Sequence, residues 1–534
     1  MAIMLKSRFN SDPRPLLLSP NLAHSEVERL LTPYGFRNWR EADANLQLMA
    51  GEPRSRKLLA VILSDLLHAV SVTADPDQAL REWERYLDAG NARTQVFGFL
   101  AQVPHVLQLL CVLFGNSHAM AETLIRDPML IYWIEQEHVL QSAPDFKRLQ
   151  TVLDETLCLV HTSERKFDAL RRFHRREMLR IGARDLFRVG SVAETVQSLS
   201  RLAEIVIHAA YRLVHEELCK EYGIPLYRGP GTSRSSKGFV VLGMGKLGGG
   251  ELNYSSDVDL IYLYSSGNRR IKTAKKPISN EMFFQIVAME LTRVLSASTS
   301  EGRLFRVDLR LRPEGDVGPL AWASRDAVKY YQTRGRTWER LALLKARPIA
   351  GHRYLGQTFL KKIRPFVMGQ EERGIRDLVE TVHALRAQIH QRVEMKKEHE
   401  RNVKLSSGGI RDIEFMVQTL QLLHVARHPQ LFESNTITGL RQLQALDLLQ
   451  DADGKFLEEA YLFLRDVENK IQMIHELQTH TLPHQPAELT KCAVRMGYMD
   501  RPSSSATSSF LARYESVRKE VENIWRRTLS SFSY

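Results

Sequence analysis

Phe239-Val-Val-Leu-Gly-Met-Gly-Lys-Leu-Gly-Gly-Gly-Glu-Leu-Asn-Tyr-Ser-Ser-Asp-Val-Asp-Leu-Ile-Tyr-Leu-Tyr264 is the stretch whose reading decides the fold. It opens with an apolar run, Phe239 to Leu242, of the kind found in a buried strand. Glycines follow at Gly243, Gly245, Gly248, Gly249 and Gly250, where the missing Cβ lets backbone N–H groups come close to a phosphate. Asp257 and Asp259 stand at the head of a second apolar run, Val258 to Tyr264. Residues two apart on a strand face the same way, roughly 6–7 Å apart at Cα. Two carboxylates so placed suit one or two magnesium ions, with manganese as the alternative.

Two phosphate-binding patterns are excluded by what surrounds the glycines. Gly243-Met-Gly-Lys-Leu-Gly248 fits the dinucleotide fingerprint, but that motif needs a long helix directly after it and one acid about 20 residues on. Here the next strand comes too soon and the acids come as a pair. Lys246 is also misplaced for a P-loop. A third acid is at hand in Phe305-Arg-Val-Asp-Leu-Arg-Leu-Arg-Pro313. Strict alternation puts Val307, Leu309 and Leu311 on one face and Arg306, Asp308, Arg310 and Arg312 on the other. A plain sheet edge or solvated face reads the same way; the upstream acid pair favours a site. A glycine turn, a D-x-D strand and a later strand acid together resemble the DNA polymerase β-like nucleotidyltransferase pattern.

The composition allows this. The chain has 534 residues, enough for several domains, and a formal charge of +12, which favours an acidic partner without distinguishing nucleotide from nucleic acid. Basic residues are dispersed and no RNA-reading module is recognisable, so nucleic acid is not an expected partner. Cys111, Cys158, Cys219 and Cys492 form no C-x-x-C pair, which argues against zinc and disulfides and fits a reducing, cytoplasmic setting. Leu16 to Leu18 is too short for a signal sequence. Val106 to Phe114, the most apolar region, is too short for a membrane span and reads as a buried core helix.

Around the central stretch the chain is predicted to be helical. Residues 1 to about 22 look irregular. A helical region then runs to 225, a nucleotidyltransferase core spans 237–350, and a helical bundle fills 351–534. The fold class is therefore α+β, mostly helical, with a small mixed sheet. Expected helices include Met120 to Glu137, Phe167 to Phe187, Ser191 to Tyr222 and Glu281 to Leu295, the last capped by Ser279 or Asn280. Loops are expected at 223–238 and 265–277. Arg171, Arg172, Arg175, Arg176 and Arg180 form a basic stripe, read either as an intramolecular charge partner or as a nucleotide or acidic-protein surface. A helix from Arg336 to Arg347 would bring Arg336, Arg340 and Arg347 to one face, able to hold phosphates or structural acids. After Gly408 and Gly409, Arg411, Glu414 and Gln418 share a polar face, read as solvated or as turned to a site.

Four motifs in order resemble one family: the glycine loop with Glu-Leu-Asn-Tyr-Ser-Ser-Asp-Val-Asp, then Val307-Asp-Leu-Arg-Leu-Arg-Pro, then Trp338-Glu-Arg, then Gly408-Gly-Ile-Arg-Asp-Ile-Glu-Phe. They are similar to the bifunctional glutamine synthetase adenylyltransferase/adenylyl-removing enzymes, over roughly residues 90 to 500. Members of that family carry two related halves, one adding AMP to a tyrosine of glutamine synthetase and one removing it by phosphorolysis. This sequence has one core, and its wording resembles the N-terminal, adenylyl-removing half. The resemblance implies Asp257, Asp259 and Asp308 as metal carboxylates, and Gly248 and Gly249 against the nucleotide phosphate. Lys246, Arg310, Arg312, Arg340, Arg411 and Glu414 are the remaining candidate nucleotide or phosphate contacts. Implied partners are glutamine synthetase, phosphate, ADP or ATP, and the signal-transduction protein PII. ATP-dependent adenylylation by the same site is the alternative.

Overall fold

The computed structural model describes residues 11–90, 92–143, 145–225, 238–265, 278–369, 372–395, 398, 400–474 and 478–529. The loop readings at 223–238 and 265–277 fall, apart from their ends, outside the described residues. The chain is mostly helical with one small mixed sheet, as expected. Two compact units are each assembled from separated stretches: Met1–Ala143, Met178–Ser191 and Asn469–Arg513 in one, Pro144–Glu177, Val192–Glu468 and Tyr514–Tyr534 in the other. Helices of the expected 1–225 and 351–534 segments therefore contribute to both.

The first unit is helical. Its most apolar helix, Pro104–Asn116, is a core helix: Val106, Leu107, Leu110, Cys111 and Phe114 are buried. Trp83 donates its indole N–H to Cys111 Sγ at 3.3 Å and packs edge-on against Phe114. No single described helix is long and apolar enough to cross a membrane; Arg93–Gln102 and Pro104–Asn116 pass only when joined across a 115° bend. Two expectations fail here. Pro15–Leu18 forms a helical turn inside the stretch read as irregular, Pro15 supplying the fixed φ that suits a helix start. The single helix expected over Met120 to Glu137 is two, His118–Arg126 and Leu130–Ile134, because Pro128 falls between them.

The second unit carries the sheet. Its strands are β1 (Phe239–Gly243), β2 (Val258–Tyr264), β3 (Val307–Asp308), β4 (Ala321–Ala323) and β5 (Arg347–Gly351). β1 lies between β5 and β2 and is antiparallel to both. The far edge of β2 takes β3 at its start and β4 at its end, both parallel to it. β1 is wholly buried, as is β2 beyond Asp259, as a strand covered on both faces requires. The helices Val192–Tyr222 and Asn280–Ser296 pack together, the former also against β5. The Asn280–Ser296 helix is capped as predicted, Ser279 Oγ accepting from Met282 N at 3.1 Å. Phe239 stacks on Tyr211, with ring centroids 5.5 Å apart, and on Phe284.

The regular strand expected over Phe305 to Pro313 shrinks to Val307–Asp308, because the chain turns directly after Asp308. Arg312 holds that turn, donating to the carbonyls of Leu309 (2.9 Å), Gly318 (3.2 Å) and Pro319 (3.2 Å). The helix expected to run from Arg336 to Arg347 covers only Thr337–Leu344, and Arg347 belongs to β5. Glu339 ends up buried and caps this helix by accepting from Arg336 N at 2.6 Å.

Gly248 has a packing reason to be glycine. A Cβ there would lie 1.9 Å from the Lys345 carbonyl oxygen and 2.6 Å from that of Gly243. Both obstacles are backbone, so Gly248→Ala is expected to destabilise this unit by about 1–3 kcal/mol or more, as overpacking does. Urea denaturation measures it; a wild-type midpoint would show that the loop has room and that glycine is there for another reason.

Candidate functional site

The register of β2 and β3 assembles the acids. Asp259 pairs with Asp308 across the two parallel strands, so both stand at the same level on neighbouring strands. Asp257 lies one residue ahead of β2, at its lip. The structure thus brings the three predicted aspartates together at the starts of β2 and β3. Met244 N donates to the Asp259 carbonyl at 2.9 Å, tying the glycine turn to the same strand. Gly245 sits in the left-handed region at φ +51, and a Cβ there would meet Asp259 Oδ2 at 2.6 Å. The glycine turn therefore lies directly over the Asp259 carboxylate.

The three acids have different surroundings. Asp257 accepts from Arg306 Nε at 2.7 Å. Asp308 accepts from Arg310 through its backbone N (2.8 Å) and guanidinium (2.5 Å for the shortest contact), and these hydrogen bonds hold its carboxyl below the ordinary range. Asp259 accepts no side-chain hydrogen bond from any described residue. Its burial, with the neighbouring Asp308 and Asp257, pushes its pKa up to about 6. Such a carboxylate among carboxylates is what a hard divalent cation relieves, and its all-oxygen donor set suits magnesium or manganese. The residues present fit the ion.

A different group of potential ligands lies in the helical unit, where Glu82, His118 and Glu122 offer atoms within 4.8 Å of one another. Arg85 is ion-paired to both glutamates there, and His118 Nδ1 is 2.6 Å from Glu82 Oε1. Those charges are already compensated.

Beneath the glycine turn runs a buried ionic network that the sequence reading did not assemble. Lys246 donates to Glu468 at 2.8 and 3.0 Å and to Asn253 Oδ1 at 2.8 Å. Burial pushes the Lys246 pKa down to about 7, against the pull of Glu468. Glu468 is fully buried and also meets Arg465 at 3.6 Å. Glu251, equally buried, accepts from Lys345 Nζ at 2.6 Å and Thr436 N at 2.5 Å, while Arg465 donates to its carbonyl. Glu414 is buried and lies 3.4 Å from Arg411. Burial alone would raise its pKa; Arg411, Lys345, Lys404 and Arg465 outweigh that and hold it down at about 2. Of the face carrying Arg411, Glu414 and Gln418, Arg411 keeps partial exposure, while Gln418, like Glu414, is buried and donates to the Leu341 carbonyl at 3.1 Å. Glu468 and Arg465 gave no local signal, since Glu468 is 222 residues from Lys246.

Other candidates lie elsewhere. Arg340 is buried and donates to the carbonyls of Val367 and Met368, each at 3.0 Å, at the end of the Arg353–Met368 helix. Arg347 donates to the Gly248 carbonyl at 3.1 Å and pairs with Glu204 at 2.5 Å. Arg336, Arg340 and Arg347 do not share a face, because the helix ends before Arg347. Gly248 and Gly249 are buried; a Cβ on Gly249 would meet Glu251 and the Ser434 carbonyl. In the basic stripe, Arg172 and Arg175 pair with Glu301, and Arg171 with Asp168, which is the intramolecular reading.

A sheet with two strand-borne aspartates and a third at the strand's lip, under a glycine turn and joined to helices by a buried ionic network, resembles a nucleotidyltransferase arrangement. Residues 107–362 match the family model described as glutamate-ammonia ligase adenylyltransferase. This segment is similar to that family. It includes the whole sheet and all three aspartates. Residues 383–529 match a second family model, GlnD PII-uridylyltransferase, over the helices that carry Arg411, Glu414, Arg465 and Glu468. The chain is also 37% identical over 420 residues to the bifunctional glutamine synthetase adenylyltransferase/adenylyl-removing enzyme of Nitrosococcus oceani; the match covers 78% of this chain and 42% of that protein. The chain is therefore related to nucleotidyltransferases that act on glutamine synthetase, and it spans less than half the length of this curated relative.

Proposed function

We propose that this protein removes AMP from adenylylated glutamine synthetase by phosphorolysis: inorganic phosphate attacks the phosphorus of adenylyl-tyrosine, the P–O bond to the tyrosyl oxygen breaks, and ADP and free tyrosine are the products. The observation that carries the chemistry is the Asp259–Asp308 register pair with Asp257 at its lip. The direction rests on the wording of the glycine loop, which resembles the adenylyl-removing half. Adenylylation by ATP would use the same acids and is the alternative.

Asp257, Asp259 and Asp308 would hold the divalent ions. A bound ion there neutralises charge on the attacking and leaving oxygens. The chain itself supplies placement. The glycine turn admits a phosphate beside Asp259, and Arg411 contributes positive charge against the phosphoryl oxygens, which carry most of the transition-state charge. Arg306 and Arg310 pair with Asp257 and Asp308, and Arg310, which is exposed, would stand beside a phosphate at that carboxylate. PII is the proposed regulator, supported by the match of 383–529 to a family named for PII. A reducing cytoplasmic compartment is part of this reading, since the spacing of Cys111, Cys158, Cys219 and Cys492 offers no C-x-x-C pair.

Labelled inorganic phosphate supplied with AMP-modified glutamine synthetase and magnesium should appear as the β-phosphate of ADP. EDTA should stop the transfer and added magnesium restore it. Label transfer at full rate in EDTA would refute the metal assignment.

A further inference from the structure

The network beneath the glycine turn gathers five basic side chains. Lys246, Lys345, Lys404, Arg411 and Arg465 are gathered about Glu251, Glu414 and Glu468, and the Asp259 carboxylate also acts on Lys404 and Arg411. Three of the five cations are committed: Lys246 to Glu468, Lys345 to Glu251, and Arg465 to the Glu251 carbonyl and Glu468. Two are not. Arg411 makes a single loose ion pair at 3.4 Å, and its Nε is buried without a hydrogen-bond partner among the described residues. The Lys404 ammonium makes no ion pair within 4.0 Å with any described residue, although Asp259, Glu414 and Glu468 are all near enough for their charges to act on it. Both side chains are partly exposed, Arg411 at 34%, so an anion can reach them from solvent, while Arg411 Nε still lacks a partner for its N–H.

Their backbone is fixed in place. Arg411 N donates to the Lys404 carbonyl at 2.9 Å and Ile410 N to that of Val403 at 3.1 Å, which joins the 402–409 turn to the start of the Ile410–His424 helix. Asn402 Oδ1 accepts from Lys404 N (3.2 Å) and Leu405 N (2.9 Å). Gly408, at φ +71, packs where a Cβ would lie 2.0 Å from the Arg518 carbonyl oxygen. Lys404 and Arg411 thus project from a fixed turn, and the charges of both act on Asp259, the carboxylate that would hold the metal.

We infer that Lys404, with Arg411 beside it, is the seat of the attacking inorganic phosphate. The site uses a lysine as a mobile point charge and an arginine as a fixed donor on one tetrahedral anion. This inference rests on the phosphorolysis reading for the identity of the anion. The pairing of Lys404 with Arg411, whose charges both act on Asp259, does not depend on it.

The test is equilibrium titration of inorganic phosphate, with magnesium, into wild type, Lys404→Gln and Lys404→Arg, paired with the KM for phosphate in ADP release. Lys404→Gln should weaken phosphate binding and raise its KM by about tenfold or more, the loss expected for one charged hydrogen bond. The KM for modified glutamine synthetase should stay within about twofold. Lys404→Arg should restore most of the phosphate affinity, which a purely structural lysine would not do selectively. Unchanged phosphate affinity in Lys404→Gln, or Lys404→Arg as impaired as Lys404→Gln, overturns the seat. Lys404-dependent phosphate binding without ADP release in wild type would sink the phosphorolysis reading and keep the seat. ADP release indifferent to Lys404→Gln would do the reverse.

Discussion

Asp259→Asn is expected to lower turnover by more than about 100-fold while leaving the fold intact. Loss of a group that only supports a metal ligand typically costs 10–100-fold, and Asp259 would be a ligand itself. The same substitution should not weaken the protein. The Asp259 pKa is raised to about 6 by burial and by Asp308 and Asp257, so the folded state disfavours its charge. A raised acid pKa means that the unfolded chain ionises more readily, so the wild-type carboxylate opposes folding above pH 6. In metal-free buffer Asp259→Asn should therefore be at least as stable as wild type at pH 8. That advantage should shrink as the pH falls through 6 towards 4, where the wild-type group is protonated when folded. Urea midpoints across pH 4–8 measure this. A variant that is both active and less stable than wild type at pH 8 would show that Asp259 is a structural acid.

Glu468→Ala is expected to have the largest effect on stability, a loss of about 3–5 kcal/mol. Glu468 is fully buried and is the carboxylate on which both Lys246 and Arg465 depend. Removing it strands two cations in the interior, with no anion to replace it until substrate arrives. Loss of the Lys246 proton would soften the cost, since burial already pushes that pKa down to about 7. The contrast is Arg441→Ala. Arg441 is exposed and pairs with Glu458 at 2.6 Å, and that change should cost no more than about 1 kcal/mol. Equal urea midpoints for the two variants would mean that the network beneath the glycine turn does not hold the unit together.

The parts of the site that were legible in the sequence are those whose partners are close along the chain or fixed by strand geometry. Phe239 to Leu242 and Val258 to Tyr264 declared two strands, and the short glycine stretch between them left room only for a turn. Asp308 was legible because alternation marked Val307 and Asp308 as strand, and the parallel pairing then brought it beside Asp259. The same alternation misled beyond Asp308: Arg312 ties the chain into a turn by three backbone carbonyls, a use that no periodicity shows. Arg340 was read as a phosphate contact by helical spacing, yet its guanidinium meets the carbonyls of Val367 and Met368, 27 and 28 residues on. Lys246 looked like a free phosphate ligand because Glu468, its partner, lies 222 residues away. Buried charge is settled by tertiary partners, and those pairings leave no local pattern.

Metal-dependent phosphorolysis at Asp257, Asp259 and Asp308 is tested most directly by one paired incubation. Wild type and Asp259→Asn are each mixed with AMP-modified glutamine synthetase, magnesium and inorganic phosphate, and ADP is followed, while a parallel reaction offers ATP and unmodified glutamine synthetase. ADP released by wild type only when phosphate is present, and nearly abolished in Asp259→Asn, is the predicted result. AMP incorporation from ATP with no ADP release would contradict the direction and keep the site; equal ADP release by both proteins would contradict the site itself.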